Sequence, residues 1–249
     1  MTSSFWDLWA GWPFVTKHIG VFAFAMTCAV SFKFISPYYF VLLFDRIFSV
    51  DIEFWRLITS SFFFGGFGMS FLFAFLIFIQ YSAQLEKDRF DGRVADYIYC
   101  IIVGIMAMSV FAYFTSAMLL SSSLMMYLVY IWCNFHPDSN LRLMFVPVEV
   151  PSRYFPFALA ALHIVLGGGM ETLIEDGIGI LCGHIYYFLE EKYPQEYGSR
   201  LLTTPSILYW IFPPNTMPQV HGVHGNIQRQ PPPPERGGFQ GRGRVLGHN

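Results

Sequence analysis

An all-α polytopic membrane protein is the fold class this sequence predicts, and two observations carry the prediction. Charge is scarce: 13% of the 249 residues are charged and 54% hydrophobic, with a mean hydropathy of +0.45. A soluble domain carries about 25% charged residues, so this chain lacks the groups to wet its own surface. The second observation is the length of the uncharged runs: Leu57 to Leu85 over 29 residues, Tyr97 to Pro137 over 41 and Tyr154 to Met170 over 17. A span takes roughly 20 apolar residues, so the longest run holds a helical hairpin. An aromatic-rich soluble core is the bland account of 28 Phe and 14 Tyr, and the missing charge argues against it.

These runs place six spans, near 17–35, 63–81, 96–114, 117–135, 154–170 and 174–190. The third and fourth share one run, with a turn near Thr115. In the sixth, Asp176 and Glu190 bracket only 13 uncharged residues, about 20 Å of helix against a hydrocarbon thickness of ~30 Å. That helix is either buried in a bundle or set in thinned bilayer. Six spans with a cytosolic N-terminus put twelve of the fifteen basic residues on the cytosolic side, leaving Lys33, Arg46 and Arg56 opposite. The positive-inside bias then places both termini in the cytosol. No cleaved signal peptide is evident at the N-terminus, so the first span acts as an uncleaved anchor, and Trp6, Trp9 and Trp12 before it suit the membrane interface. A membrane domain over 1–212 and a disordered Pro/Gly/Arg-rich cytosolic tail over 213–249 follow from the composition.

The stretch Ser36 to Phe62 is too long for a turn and mixes apolar residues with Asp45, Arg46, Asp51, Glu53 and Arg56. It reads as a long membrane-embedded loop, because irregular backbone open to lipid leaves its polar groups unpaired. Within it, Trp55 can wedge at the interface while Arg56 ties loop carbonyls or lipid phosphates together; a generic interfacial anchor is the plainer reading. Tyr81 to Tyr97 alternates acid and base and reads as a cytosolic connector with internal ion pairs. In the sixth span, Gly179 and Gly183 form a small-xxx-small pattern that permits close helix packing in lipid. His184 beside them suits an interhelical hydrogen bond better than a functional site. Cys28, Cys100, Cys133 and Cys182 fall in spans without metal spacing or pairing, and serve as apolar filler. No cofactor, metal or nucleic acid is implied by the membrane body.

Six spans, Trp-Arg in a long loop after the first and Gly-xxx-Gly in the last resemble the rhomboid superfamily. Phe90-Asp91-Gly92-Arg93 with Ala95-Asp96-Tyr97, Gly183-His184-Ile185-Tyr186-Tyr187-Phe188-Leu189, and Tyr193-Pro194 followed by Thr204-Pro205 resemble one branch of it, the derlins, across most of the chain. The resemblance implies a rhomboid-like six-helix bundle. Rhomboid proteases use a Ser in a Gly-x-Ser-Gly turn on the fourth span and a His on the sixth. Here Ser121, Ser122 and Ser123 lack flanking glycines, and Asp176 stands where the His belongs. The resemblance therefore implies a pseudoprotease with no catalytic residue; an intramembrane protease is the weakest alternative.

In the tail, Pro231 to Pro234 holds off Phe239, Gly241, Gly243 and Leu246, which resemble the short box by which derlins bind the AAA ATPase valosin-containing protein. An RNA-binding Arg-Gly box is the rival reading, but Arg236, Arg242 and Arg244 make a weak footprint for phosphate. The resemblance implies a protein of the endoplasmic reticulum membrane that helps retrotranslocate misfolded lumenal or membrane proteins. The ATPase, an ER ubiquitin ligase complex, the lipid bilayer and a homo- or hetero-oligomer with derlins are its expected partners. A scaffold of the ligase complex without a conduit is the alternative. A small-molecule transporter ranks behind both, since few ionisable residues lie in the spans.

Overall fold

The structure is a computed structural model, and it describes residues 12–47, 53–142, 149–165, 169–199 and 201–213. Trp6, Trp9, Asp51 and the tail residues Phe239, Gly241, Gly243 and Leu246 lie outside the described residues. The protein is a helical membrane protein: α1 (Phe14–Ser31), α4 (Met69–Asp88) and α5 (Val94–Thr115) are each long and apolar enough to cross a bilayer. Between α1 and α4 lie a single 3-10 turn (Pro37–Tyr39) and the short helices α2 (Phe44–Ile47) and α3 (Trp55–Phe62). After α5 come α6 (Ser121–Phe135), a two-stranded antiparallel hairpin of β1 (Asn140–Arg142) and β2 (Glu149–Pro151), α7 (Phe155–Val165) and α8 (Met170–Tyr187). A π turn over Phe188–Lys192 leads into α9 (Tyr193–Tyr197), and α10 (Ser206–Ile211) follows.

Three further helices on predicted spans, α6, α7 and α8, are not membrane-length apolar helices, each for a different reason. The 15 residues of α6 make about 22 Å, and eleven of them are buried. A helix apolar all round belongs inside a bundle; α6 packs on α3, α4, α5, α7 and α8. Pro137, just beyond it, stops the helix by withholding an N–H. Among the described residues α7 is helical over 11, with Phe155, Pro156, Leu159 and Ala160 buried in its first half. The third case, α8, has the length, but its first two turns contain Glu171, Glu175 and Asp176.

Several boundaries moved. The second predicted span, 63–81, becomes 69–88. Gly65 takes a left-handed φ of +87° and Gly68 is extended, so Phe63 to Gly68 cannot be helical, while the C-terminal end runs on through Glu86. The sixth predicted span, 174–190, becomes α8 over 170–187, one turn earlier at its start. The turn expected near Thr115 lies at Ser116, whose left-handed φ of +55° ends α5. The β hairpin was not predicted.

The Tyr81–Tyr97 stretch is not a self-contained charged connector. Glu86, 5% exposed, accepts from the Val15 and Thr16 N–H groups, each at 2.8 Å, and from Thr16 Oγ1 at 2.7 Å. Pro13 precedes α1 and offers no side-chain cap, so this distant carboxylate satisfies two of the orphan N–H groups and meets the positive end of the helix. Thr16 also pairs with Ser82, and Ser82 with the buried Tyr97 hydroxyl at 2.6 Å. Asp88 accepts from Trp132 Nε1 at 3.0 Å, and Arg89 reaches Glu191 at 2.8 Å while lying over the Phe135 ring. Within the stretch itself, Arg93 pairs with Asp96 at 3.4 Å.

Candidate functional site at the seam of α6 and α8

Two glycines set how closely α8 approaches α6. A Cβ built at Gly179 would stand 2.2 Å from the Ser123 carbonyl oxygen and 2.8 Å from Met126 Cβ. One at Gly183 would stand 3.1 Å from Tyr130 Cβ and 3.2 Å from the Tyr127 carbonyl oxygen. The i, i+4 spacing puts both on one face of α8. With no Cβ at Gly179, the two backbones meet, and Ser123 Oγ donates across the seam to the Glu175 carbonyl at 2.7 Å. His184, one residue past the second glycine, bonds through Nδ1 to Tyr130 Oη at 2.8 Å, the interhelical bond expected of it. The cysteines are free; Cys100, Cys133 and Cys182 are buried.

At the end of the seam where α6 begins, three side chains from three helices converge. Asp176, on α8 and fully buried, accepts from Ser122 Oγ of α6 at 2.7 Å through Oδ1 and pairs with His163 Nδ1 of α7 at 2.7 Å through Oδ2. Sequence reasoning singled out Ser122 and Asp176 but not His163, and it did not join them. The only signal available was one His in an otherwise uncharged run. The chemistry this cluster supports depends on its order. A serine nucleophile needs an imidazole within hydrogen-bond reach to take its proton, with a carboxylate on the imidazole's far side. Here the carboxylate stands in the middle: Ser122 donates to it, and His163 holds its other oxygen. The arrangement satisfies a buried charge and ties α6, α7 and α8 together.

Beside this end lies the loop between α1 and α4, organised by Arg56. Its guanidinium, 1% exposed, donates to the Tyr38 carbonyl at 2.7 Å and the Val41 carbonyl at 2.9 Å, binds Glu53 Oε2 through Nε, and lies over the Tyr38 ring. Of the two roles considered for it, the structure shows the tying of loop carbonyls. Trp55, its neighbour, points outward and is 52% exposed. The loop is further held to the bundle by Leu42 N–H to Met118 O at 2.8 Å and Leu120 N–H to Ser60 O at 3.0 Å. Arg56→Lys should lower stability by about 1–3 kcal/mol, because one ammonium cannot keep the planar fork on two carbonyls and a carboxylate while stacking on a ring. Faster proteolysis within residues 36–54 of the variant would register the loss; unchanged cleavage would contradict it.

A sequence profile of the Der1-like family matches residues 12–206. Derlin-1 of Arabidopsis thaliana is 33% identical over 202 residues, which cover 80% of this chain and 73% of that protein. Derlin-1 of Oryza sativa subsp. japonica is 31% identical over 202 residues, with coverage of 80% and 81%. Derlin-2.2 of Zea mays is 28% identical over 211 residues, with coverage of 80% and 83%.

Proposed function

The chain belongs to the Der1-like family, and from that premise we propose that it is a non-catalytic component of ER-associated degradation. Family membership implies a role in that process. In the finer reading, the protein sits in the endoplasmic reticulum membrane with six spans and both termini in the cytosol. It helps carry misfolded proteins outward, works beside a ubiquitin ligase complex, and recruits the AAA ATPase valosin-containing protein through Phe239, Gly241, Gly243 and Leu246. The observation that carries the non-catalytic part is the order of the polar cluster: Ser122 meets a carboxylate and not an imidazole. ATP is hydrolysed by the partner, and no covalent step is assigned to this chain.

The physical contribution of the body follows from its short elements. The described residues of α7 are helical over 11, and the uncharged part of α8 with the π turn after it runs only from Gly177 to Leu189, about 16 and 20 Å against ~30 Å of hydrocarbon. Such elements thin the bilayer or admit water beside them, and either effect lowers the cost of moving polar backbone across lipid. Trp55 and Arg56 brace the loop at one end of this region, while Gly179 and Gly183 keep α8 on α6. A scaffold without a conduit is the competing role; crosslinks from a translocating substrate to the bundle separate it from a conduit, because a scaffold would crosslink to the ligase alone.

The test of motor docking is a cycloheximide chase of a misfolded lumenal glycoprotein in cells with this chain as their only derlin. A chain ending at Gly238 should prolong the glycoprotein's half-life at least twofold while staying inserted and as abundant as the full chain. Equal half-lives would remove the tail from the function and leave the body to act through another adaptor.

A further inference from the structure

We propose that α10 is a membrane-interface anchor: Ile207, Trp210 and Ile211 enter the headgroup–acyl boundary of the bilayer beside the start of α5, and Asp96 holds the helix there. The partner of this face is lipid.

The six residues of α10 divide cleanly. Ile207, Trp210 and Ile211 are 66%, 84% and 52% exposed, and the spacing i, i+3, i+4 puts them on one side of the helix. Leu208, and Phe212 just past the helix, are half-buried. Tyr209 Oη donates to Asp96 Oδ1, and Thr204 Oγ1, just before the helix, donates to the same oxygen at 2.6 Å. Burial first, and the Asp96 acceptor second, hold the Tyr209 phenol above its ordinary pKa, so it remains a donor at neutral pH. Asp96 lies in the first turn of α5, where the helix dipole favours a carboxylate.

That attachment decides what covers the apolar face. The length and composition of α5 suit a membrane span, and its own exposed residues Ile102, Met106 and Val110 repeat every four positions along it, a lipid-facing stripe. With α10 packed on α5 and bonded two residues from its start, its outer face stands at the level where α5 enters the bilayer. A Trp flanked by two Ile on a short helix at that depth is the composition of an interfacial segment, the indole lying in the boundary and the isoleucines below it. The same segment walls a cavity of about 370 Å³ shared with Arg89, Arg93 and Tyr186.

The test uses the full chain in nanodiscs of phosphatidylcholine with and without bromine on the upper acyl carbons, which quenches indole at the interface. The emission lost on Trp210→Ala isolates Trp210 from the other five tryptophans. Brominated lipid should reduce that difference emission at least twofold. Equal emission in both lipids would overturn the proposal and place water, a second copy or the tail over the face. Thr204→Val with Tyr209→Phe removes the two donors to Asp96; amide exchange over 205–212 should rise at least tenfold while α5 keeps its protection, and unchanged exchange would sink the anchoring role of Asp96. Neither measurement involves degradation. A quenched Trp210 in a chain whose tail proves dispensable would remove motor docking and leave the anchor.

Discussion

Gly179→Ala should destabilise the bundle by about 2 kcal/mol or more, where the same change at Gly183 costs well under half as much. The added methyl at Gly179 would lie 2.2 Å from a backbone carbonyl oxygen of α6. Backbone cannot swing aside as a flexible side-chain end can, so α8 must separate from α6. Separation stretches the Ser123-to-Glu175 bond and disturbs the Asp176 cluster one turn away. At Gly183 the contacts of 3.1 and 3.2 Å need a yield of only tenths of an ångström. Unfolding of the purified protein by SDS titration from mild detergent micelles would rank the two variants. Equal stability of Gly179→Ala and the parent would show that α6 and α8 are not held at this distance. The bulkier Gly179→Leu should abolish dislocation in cells, and normal dislocation by a folded Gly179→Leu chain would remove the packing role from the function.

The helices were legible because hydrocarbon excludes charge, and three of them, α1, α4 and α5, are seen as membrane-length apolar helices. The turn at Ser116 was legible because 41 uncharged residues cannot be one span. What could not be read was charge that lies inside the fold. Glu86 and Asp176 each bound an uncharged run in the sequence, and both lie within helices, because partners far along the chain meet them: Thr16 lies 70 residues from Glu86, and Ser122 lies 54 from Asp176. A carboxylate's burial depends on what faces it, and a linear pattern does not contain that. The same holds for α10, an apolar run that drew no reading in the sequence and whose place is set by Tyr209 on Asp96. In the candidate site, Gly179, Gly183 and Arg56 were recognisable by residue type, since each offers one unusual property: no Cβ, or a planar five-donor fork. That α6 lies against the glycines, and that loop carbonyls rather than phosphates meet the arginine, required the structure. His163 carried too little signal to be found.

Asp176→Ala should cost about 3 kcal/mol, close to the loss from breaking a buried ionic pair, and the loss should be shared with His163. The carboxylate is fully buried and bonded on both oxygens, so removing it strands a hydroxyl and an imidazole together. Conversely, His163→Ala leaves a buried carboxylate with Ser122 as its remaining bonded partner. If the two form one unit, the double variant will lose less than the sum of the singles, with a coupling of about 1–3 kcal/mol in a double-mutant cycle. Additive losses would mean that His163 and Asp176 act separately. The cycle also bears on what became of any catalytic centre here. An activated serine labels with a fluorophosphonate, whereas Ser122, tied to a carboxylate that also holds a histidine, should not label in the parent chain. Asp176→His places an imidazole next to Ser122 but supplies no flanking glycine, so labelling should stay absent there too. Labelling of the parent chain would overturn the non-catalytic reading. Its absence, together with a coupled loss of stability, identifies the cluster as a polar clamp across three helices, in which holding the bundle is the work left to these residues.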